Sequence, residues 1–128
     1  MRTVRIRGPR GLHLVAEVPT TRRERTRGLR GRDTLAPGRA MFLRRCRSVH
    51  TFGMRIPITV ACLDRWLGVR WVAVVPPRRV VLPRRGIRHV LELGSDVDVR
   101  PGDRLRFDEA SASMRSRDRG HAIHIGPR

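Results

Sequence analysis

The run His50-Thr51-Phe52-Gly53-Met54 has the widest chemical range in this sequence. His50 brings an imidazole, a side chain suited to general acid–base work, and Gly53 lets a backbone or ligand approach Met54 closely. Cys46 lies four residues upstream, so a Cys/His nucleophilic pair is one reading. Two features argue against it. That spacing makes neighbours only on a helix, whereas the segment reads as extended, and no third residue stands ready to orient the base. The alternative puts Phe52 and Met54 in the core and His50 at its rim.

A second group comprises Glu24, Arg25, Gly28-Leu29 and Arg32. Arg25 and Arg32 are suited to act as bidentate donors to a carboxylate or phosphate. In the competing reading Glu24 caps a helix, and Arg32 pairs with an acid such as Asp64 or Glu92. Together with the first group this nominates a ligand rim of Glu24, Arg25, Arg32, His50 and Met54, with no catalytic residue assigned.

Metal chemistry has weaker support. Asp96-x-Asp98 lacks the further oxygen ligands and the glycine of a calcium loop. Asp64, Asp96, Asp98, Asp103 and Asp108 read as turn acids. His121-x-x-His124 supplies only two ligands. Cys46 and Cys62 match no zinc spacing and are expected as reduced thiols. No metal and no cofactor is expected.

The net charge is +18, and all 29 basic residues are Arg. The chain has no Lys, Asn, Gln or Tyr, a bias that points to GC-rich coding and explains Arg in place of Lys. It does not explain the shortage of Asp and Glu. The basic runs 22–32, 44–47, 78–79 and 84–88 would bind nucleic acid or another polyanion nonspecifically if they converged on one face. Single-strand binding usually adds aromatic platforms. Phe42, Phe52 and Phe107 read as core, which leaves Trp66 and Trp71 as exposed candidates.

A chain of 128 residues suits one domain with a modest core. Thr3 to Ile6 and Leu12 to Val18 read as strands around the turn Gly8-Pro9-Arg10-Gly11. Thr21-x-x-Glu24 is a capping box opening a short helix near residues 21–29. Ala40 to Leu43, Val49 to Met54, Ile58 to Leu63, Val69 to Val75, Arg79 to Leu82, Val90 to Leu93 and Asp103 to Phe107 read as further strands. The expected fold is mainly β, a small β-sandwich or flattened barrel of about eight short strands. It spans residues 1–108, and a loosely ordered basic tail follows over 109–128. The first residues lack the apolar stretch of a signal peptide and no apolar run is long enough to span a bilayer, so a cytoplasmic location is expected.

Five motifs occur in one order. Thr21-Arg22-Arg23-Glu24-Arg25-Thr26-Arg27-Gly28-Leu29-Arg30-Gly31-Arg32 comes first, followed by Ala40-Met41-Phe42-Leu43. Then come Phe52-Gly53-Met54-Arg55-Ile56-Pro57-Ile58-Thr59, Val90-Leu91-Glu92-Leu93 and Pro101-Gly102-Asp103-Arg104-Leu105. In this order the chain resembles the domain-of-unknown-function 192 family from about Val15 to Phe107. Arg30 stands where that family has Met, Gly53 where it has Trp, and Thr59 where it usually has Asp. The resemblance implies a mainly-β sandwich or flattened barrel with no established reaction, and a protein partner in a pilus-assembly context. The expected function is a non-enzymatic binding or accessory module. The alternative is a basic protein that binds nucleic acid or polyanions through its arginine surface.

Overall fold

The computed structural model describes residues 2–27 and 35–108. Its elements are β1 (Arg2–Arg7), β2 (His13–Val18), α1 (Arg22–Arg27), β3 (Arg39–Leu43), β4 (Val49–His50), β5 (Ile58–Leu63), β6 (Val69–Val75), β7 (Val80–Val81), β8 (His89–Gly94) and β9 (Arg106–Phe107). Seven strands form one curled sheet in the order β6-β5-β8-β3-β2-β1-β9, and β4 and β7 form a separate pair. The mainly-β expectation therefore holds, as a half-barrel sheet with a small second sheet.

Hydrophobic pattern explains where each strand lies. In β1 and β2 the apolar residues alternate: Val4, Ile6, Leu14, Ala16 and Val18 face inward while Arg5 and Arg7 face solvent. Such a strand is covered on one face only. Every residue of Ile58-Thr59-Val60-Ala61-Cys62-Leu63 in β5 is buried, and so are nearly all of β3 and β8. Continuous apolar runs of this kind belong at the centre of a sheet with both faces covered. One core covers one face of the sheet around Phe42, Leu63, Leu91 and Leu93. A second, with Met41, Ile58, Val60, Cys62 and Val90, lies on the other face under Met54 and Val81.

The turns follow local chemistry. Asp64 Oδ1 accepts from Trp66 N at 2.9 Å and Gly68 N at 2.8 Å, closing the β5–β6 hairpin. A Cβ at Gly68 would stand 2.8 Å from the Asp64 carboxylate and push it off the turn. Asp103 accepts from Arg100 N at 2.9 Å and from Arg10 Nη1 at 3.2 Å, tying the Pro101-Gly102 turn to the β1–β2 hairpin.

Three expected strands are shorter than their patterns suggest. Val49 to Met54 pairs only through Val49 and His50, because Met54 N then donates to Thr51 O at 3.1 Å and Gly53 takes φ 88°. This turn cancels the two-residue alternation. Met54 is buried at 8% exposure, but Phe52 is 48% exposed instead of lying in the core. Arg79 to Leu82 contracts to Val80–Val81, and Asp103 to Phe107 to Arg106–Phe107. The tail expected over 109–128 lies outside the described residues, and among those described no helix is long and apolar enough to cross a membrane.

Glu92 is the unusual member of the second core. It sits on β8 between Met41 of β3 and Val60 of β5, at 3% exposure. No hydrogen bond or ion pair reaches its carboxyl from the described residues, and burial pushes its pKa from 4.5 up to about 7. A carboxyl raised in the fold favours folding while protonated. That advantage is complete below pH 4.5 and is lost as pH rises through about 7, a difference of roughly 3 kcal/mol. Glu92→Gln is therefore expected to raise Tm at pH 8 by on the order of 10 °C and to leave it nearly unchanged at pH 4.5. Thermal unfolding at the two pH values checks this; an equal shift at both would mean that the carboxyl is already charged in the fold.

Candidate functional site: an arginine-lined cleft

β2 and β3 run parallel, with Ala16 beside Ala40, whereas β1 runs antiparallel to β2, with Arg2 opposite Val18. The ends of β2 and β3 and the start of β1 consequently meet at one edge of the sheet. A cleft of about 470 Å³ opens there, lined by Arg2, Pro19, Thr20, Arg25, Arg44 and Arg45. A parallel pair requires a crossover, and this one carries α1, which places Arg25 in the same cleft.

Local bonds fix the cleft's geometry. Thr21 Oγ1 accepts from Glu24 N at 3.1 Å, while the Glu24 carboxylate accepts from Thr20 N at 2.8 Å and Thr21 N at 3.3 Å. This is the reciprocal capping box expected from Thr21-x-x-Glu24. The Thr20 amide holds the Glu24 carboxyl below its ordinary range. Arg25 Nη1 donates to Arg44 O at 2.9 Å, stapling the helix to the β3–β4 turn. Arg45 takes φ 52°, costly for a residue with a side chain, and its amide donates to His89 Nδ1 at 3.1 Å. Cys46 N donates to Arg88 O at 3.0 Å just beyond.

His89 is a buried brace. Its ring lies 5.3 Å from that of Phe42, and burial, followed by Arg88, Arg44 and Arg45, lowers its pKa from 6.5 to about 4. A neutral imidazole with Nδ1 as acceptor is the form that this turn requires.

The cleft's electrostatics are one-sided. Burial, then Arg2, Arg45 and Arg25, lowers the pKa of the Arg44 guanidinium, which nonetheless stays charged. Among the described residues no carboxylate pairs with Arg2, Arg44 or Arg45. The Nε–H groups of Arg2 and Arg44 are both shut off from solvent without an acceptor there. Elsewhere arginines find acids: Arg7 pairs with Asp108, Arg10 with Asp103, Arg70 with Asp64 and Arg100 with Asp98.

Of the nominated rim, Arg25 lines this cleft and Glu24 shapes it by capping the helix. Arg32 lies outside the described residues. His50 and Met54 are not among the lining residues; they belong to the β4–β7 corner, where the exposed His50 ring stacks 5.6 Å from Phe52. Arg2, Thr20, Arg44 and Arg45 were not nominated. The run Arg44-Arg45 at a strand end hinted at part of the cleft, but nothing local links Arg2 to it. Cys46 Sγ donates to Ser48 O at 3.1 Å, and burial pushes the Cys46 and Cys62 thiols up, away from the thiolate. Both cysteines are free, and among the described residues no group of three or more His, Cys, Asp or Glu could hold a metal. Trp66 is exposed with Arg65 over its ring, whereas Trp71 is half-buried under Arg84 at 3.9 Å.

Residues 3–107 match the family model of DUF192, described as Uncharacterized ACR. No curated protein matches the chain. A crystal structure from Sinorhizobium meliloti 1021, described provisionally as a transcription regulator, is similar with TM-score 0.67 and 24% identity, covering 82% of this chain and 92% of that one. A protein of unknown function from Novosphingobium aromaticivorans DSM 12444 gives TM-score 0.66 and 24% identity, covering 80% and 82%. At that identity the likeness concerns the fold alone.

Two outcomes are expected from this geometry. Arg44→Gln relieves like-charge crowding, so Tm in dilute chloride should hold or rise; a fall of several degrees would mean that the guanidinium has a partner within the fold. The His89 contribution is complete above pH 6.5 and drains as pH falls through about 4. His89→Gln should therefore flatten the loss of Tm between pH 6.5 and 4, read from unfolding curves across that range.

Proposed function

We propose that this chain, which belongs to the DUF192 family, is a non-catalytic binding module that holds an anion among Arg2, Arg25, Arg44 and Arg45. The observation that carries this reading is the gathering of four arginines around one cleft, with no carboxylate paired to Arg2, Arg44 or Arg45 among the described residues. Burial and the neighbouring Arg2, Arg45 and Arg25 already disfavour the charge on Arg44. An anion in the cleft accepts from the guanidinium groups that line it and offsets their mutual repulsion. The raised thiols favour binding over thiolate chemistry.

A second reading is nonspecific binding of nucleic acid along the arginine surface. It is favoured by the net charge of +18 and by the description of the Sinorhizobium neighbour. Against it, several surface arginines are spent on acids, and neither tryptophan lines the cleft.

Thermal unfolding with multivalent anions, at ionic strength matched by chloride, tests the first reading. Stabilisation beyond chloride is expected, reaching about 2.7 kcal/mol at a hundredfold excess over Kd, and Arg2→Gln/Arg44→Gln should abolish it. A response equal to chloride, or one that survives both substitutions, defeats it. Filter binding of an oligonucleotide at two salt concentrations tests the second: binding that falls steeply with salt yet ignores the cleft variants would favour it.

A further inference from the structure

The lining of the cleft also narrows the class of anion. Among the described residues six line it: four are arginines, Thr20 is polar and Pro19 is apolar. None of these six carries an aromatic ring to stack a base or a carboxylate to accept from hydroxyl groups. The nearby Glu24 carboxylate is engaged by Thr20 and Thr21. A ligand recognised here is therefore dense in charge and poor in apolar surface.

Its size follows from the number of donors. Four guanidinium groups are contributed by three separate elements: Arg2 from β1, Arg25 from α1, and Arg44 and Arg45 from the turn after β3. Together they offer more donor forks than the terminal oxygens of one phosphoryl group can take up. Several linked phosphoryl groups can, because each presents tetrahedral oxygens that match a guanidinium fork. Duplex nucleic acid, by contrast, spreads its charge along an extended backbone and is bound by stripes of cations.

We propose that the cleft binds a condensed phosphate: a short chain of two or more phosphoryl groups, such as diphosphate, triphosphate or the end of a longer polyphosphate. This rests on the anion-binding reading above and adds the class of ligand to it. Arg2, Arg25, Arg44 and Arg45 supply the guanidinium donors, and the His89 bond to Arg45 N keeps the turn set for two of them.

Calorimetric titration of the whole chain with inorganic monophosphate, diphosphate, tripolyphosphate and citrate, at one ionic strength, decides the matter. Tripolyphosphate is expected to bind at least tenfold more tightly than monophosphate or citrate. Arg2→Gln and Arg44→Gln should each weaken it about tenfold or more, while Arg106→Gln on β9 leaves it within twofold. Circular dichroism and Tm without ligand confirm that each variant is folded, and Arg2→Gln serves if Arg44→Gln is not. Monophosphate or citrate binding within threefold of tripolyphosphate, with the same dependence on the arginines, overturns the condensed-phosphate proposal and leaves the anion module standing. An oligonucleotide binding more tightly than tripolyphosphate and lost in the same variants overturns it in favour of a nucleic-acid backbone. No binding of any anion that depends on Arg2 and Arg44 overturns both.

Discussion

The parallel pairing of β2 with β3 is the constraint on which the rest of the structure depends. Antiparallel neighbours can be joined by a two-residue turn, but parallel neighbours need the chain to travel back along the sheet. The connection from β2 to β3 carries α1, started by the capping box of Thr21 and Glu24. Because β1 runs against β2, the pairing gathers the start of one strand and the ends of two others at a single edge. Arginines far apart in the chain are brought within one cleft, and Arg25 is bonded to the backbone of Arg44. An antiparallel arrangement of the same strands would scatter them.

The sheet's two faces bury ionisable groups in different ways. On the Phe42 side His89 is kept neutral so that its ring nitrogen accepts from the Arg45 amide, and the backbone strain at Arg45 is held by that bond. On the other side burial raises the Glu92 pKa to about 7. In both cases burial disfavours the charged form, and the energetic consequences run in opposite directions with pH. His89 has a visible purpose, because the turn it holds carries two of the cleft's arginines. Among the described residues nothing touches the Glu92 carboxyl that would give it a comparable purpose.

Charge acts on two levels. Most of the +18 is spread over the surface, where arginines either pair with the few acids or lie along the protein in water. Screening limits what such contacts contribute. The cleft differs because Arg2, Arg25 and Arg45 crowd the half-buried Arg44, and among the described residues no carboxylate pairs with Arg2, Arg44 or Arg45. That local imbalance, rather than the total charge, bears on function.

Much of the architecture is legible in the residues themselves. Ile58–Leu63 and Val69–Val75 carry their strand bounds in their composition, Asp64 and Gly68 mark the hairpin between them, and Thr21 with Glu24 announces the helix start. These are local effects, set by side-chain period and by bonds within a few residues. The reading failed where a local turn competed with a strand pattern: the bond from Met54 N to Thr51 O sent Phe52 to the surface. The ordered motifs also identified the family and, through Arg25, one side of the cleft. Tertiary structure alone decided that Arg2 and Arg44 share that cleft with Arg25, and that His50 and Met54 belong to another corner. The physical reason is that strand order and direction are set by the closing of the whole sheet, and no local spacing encodes which strand ends will meet.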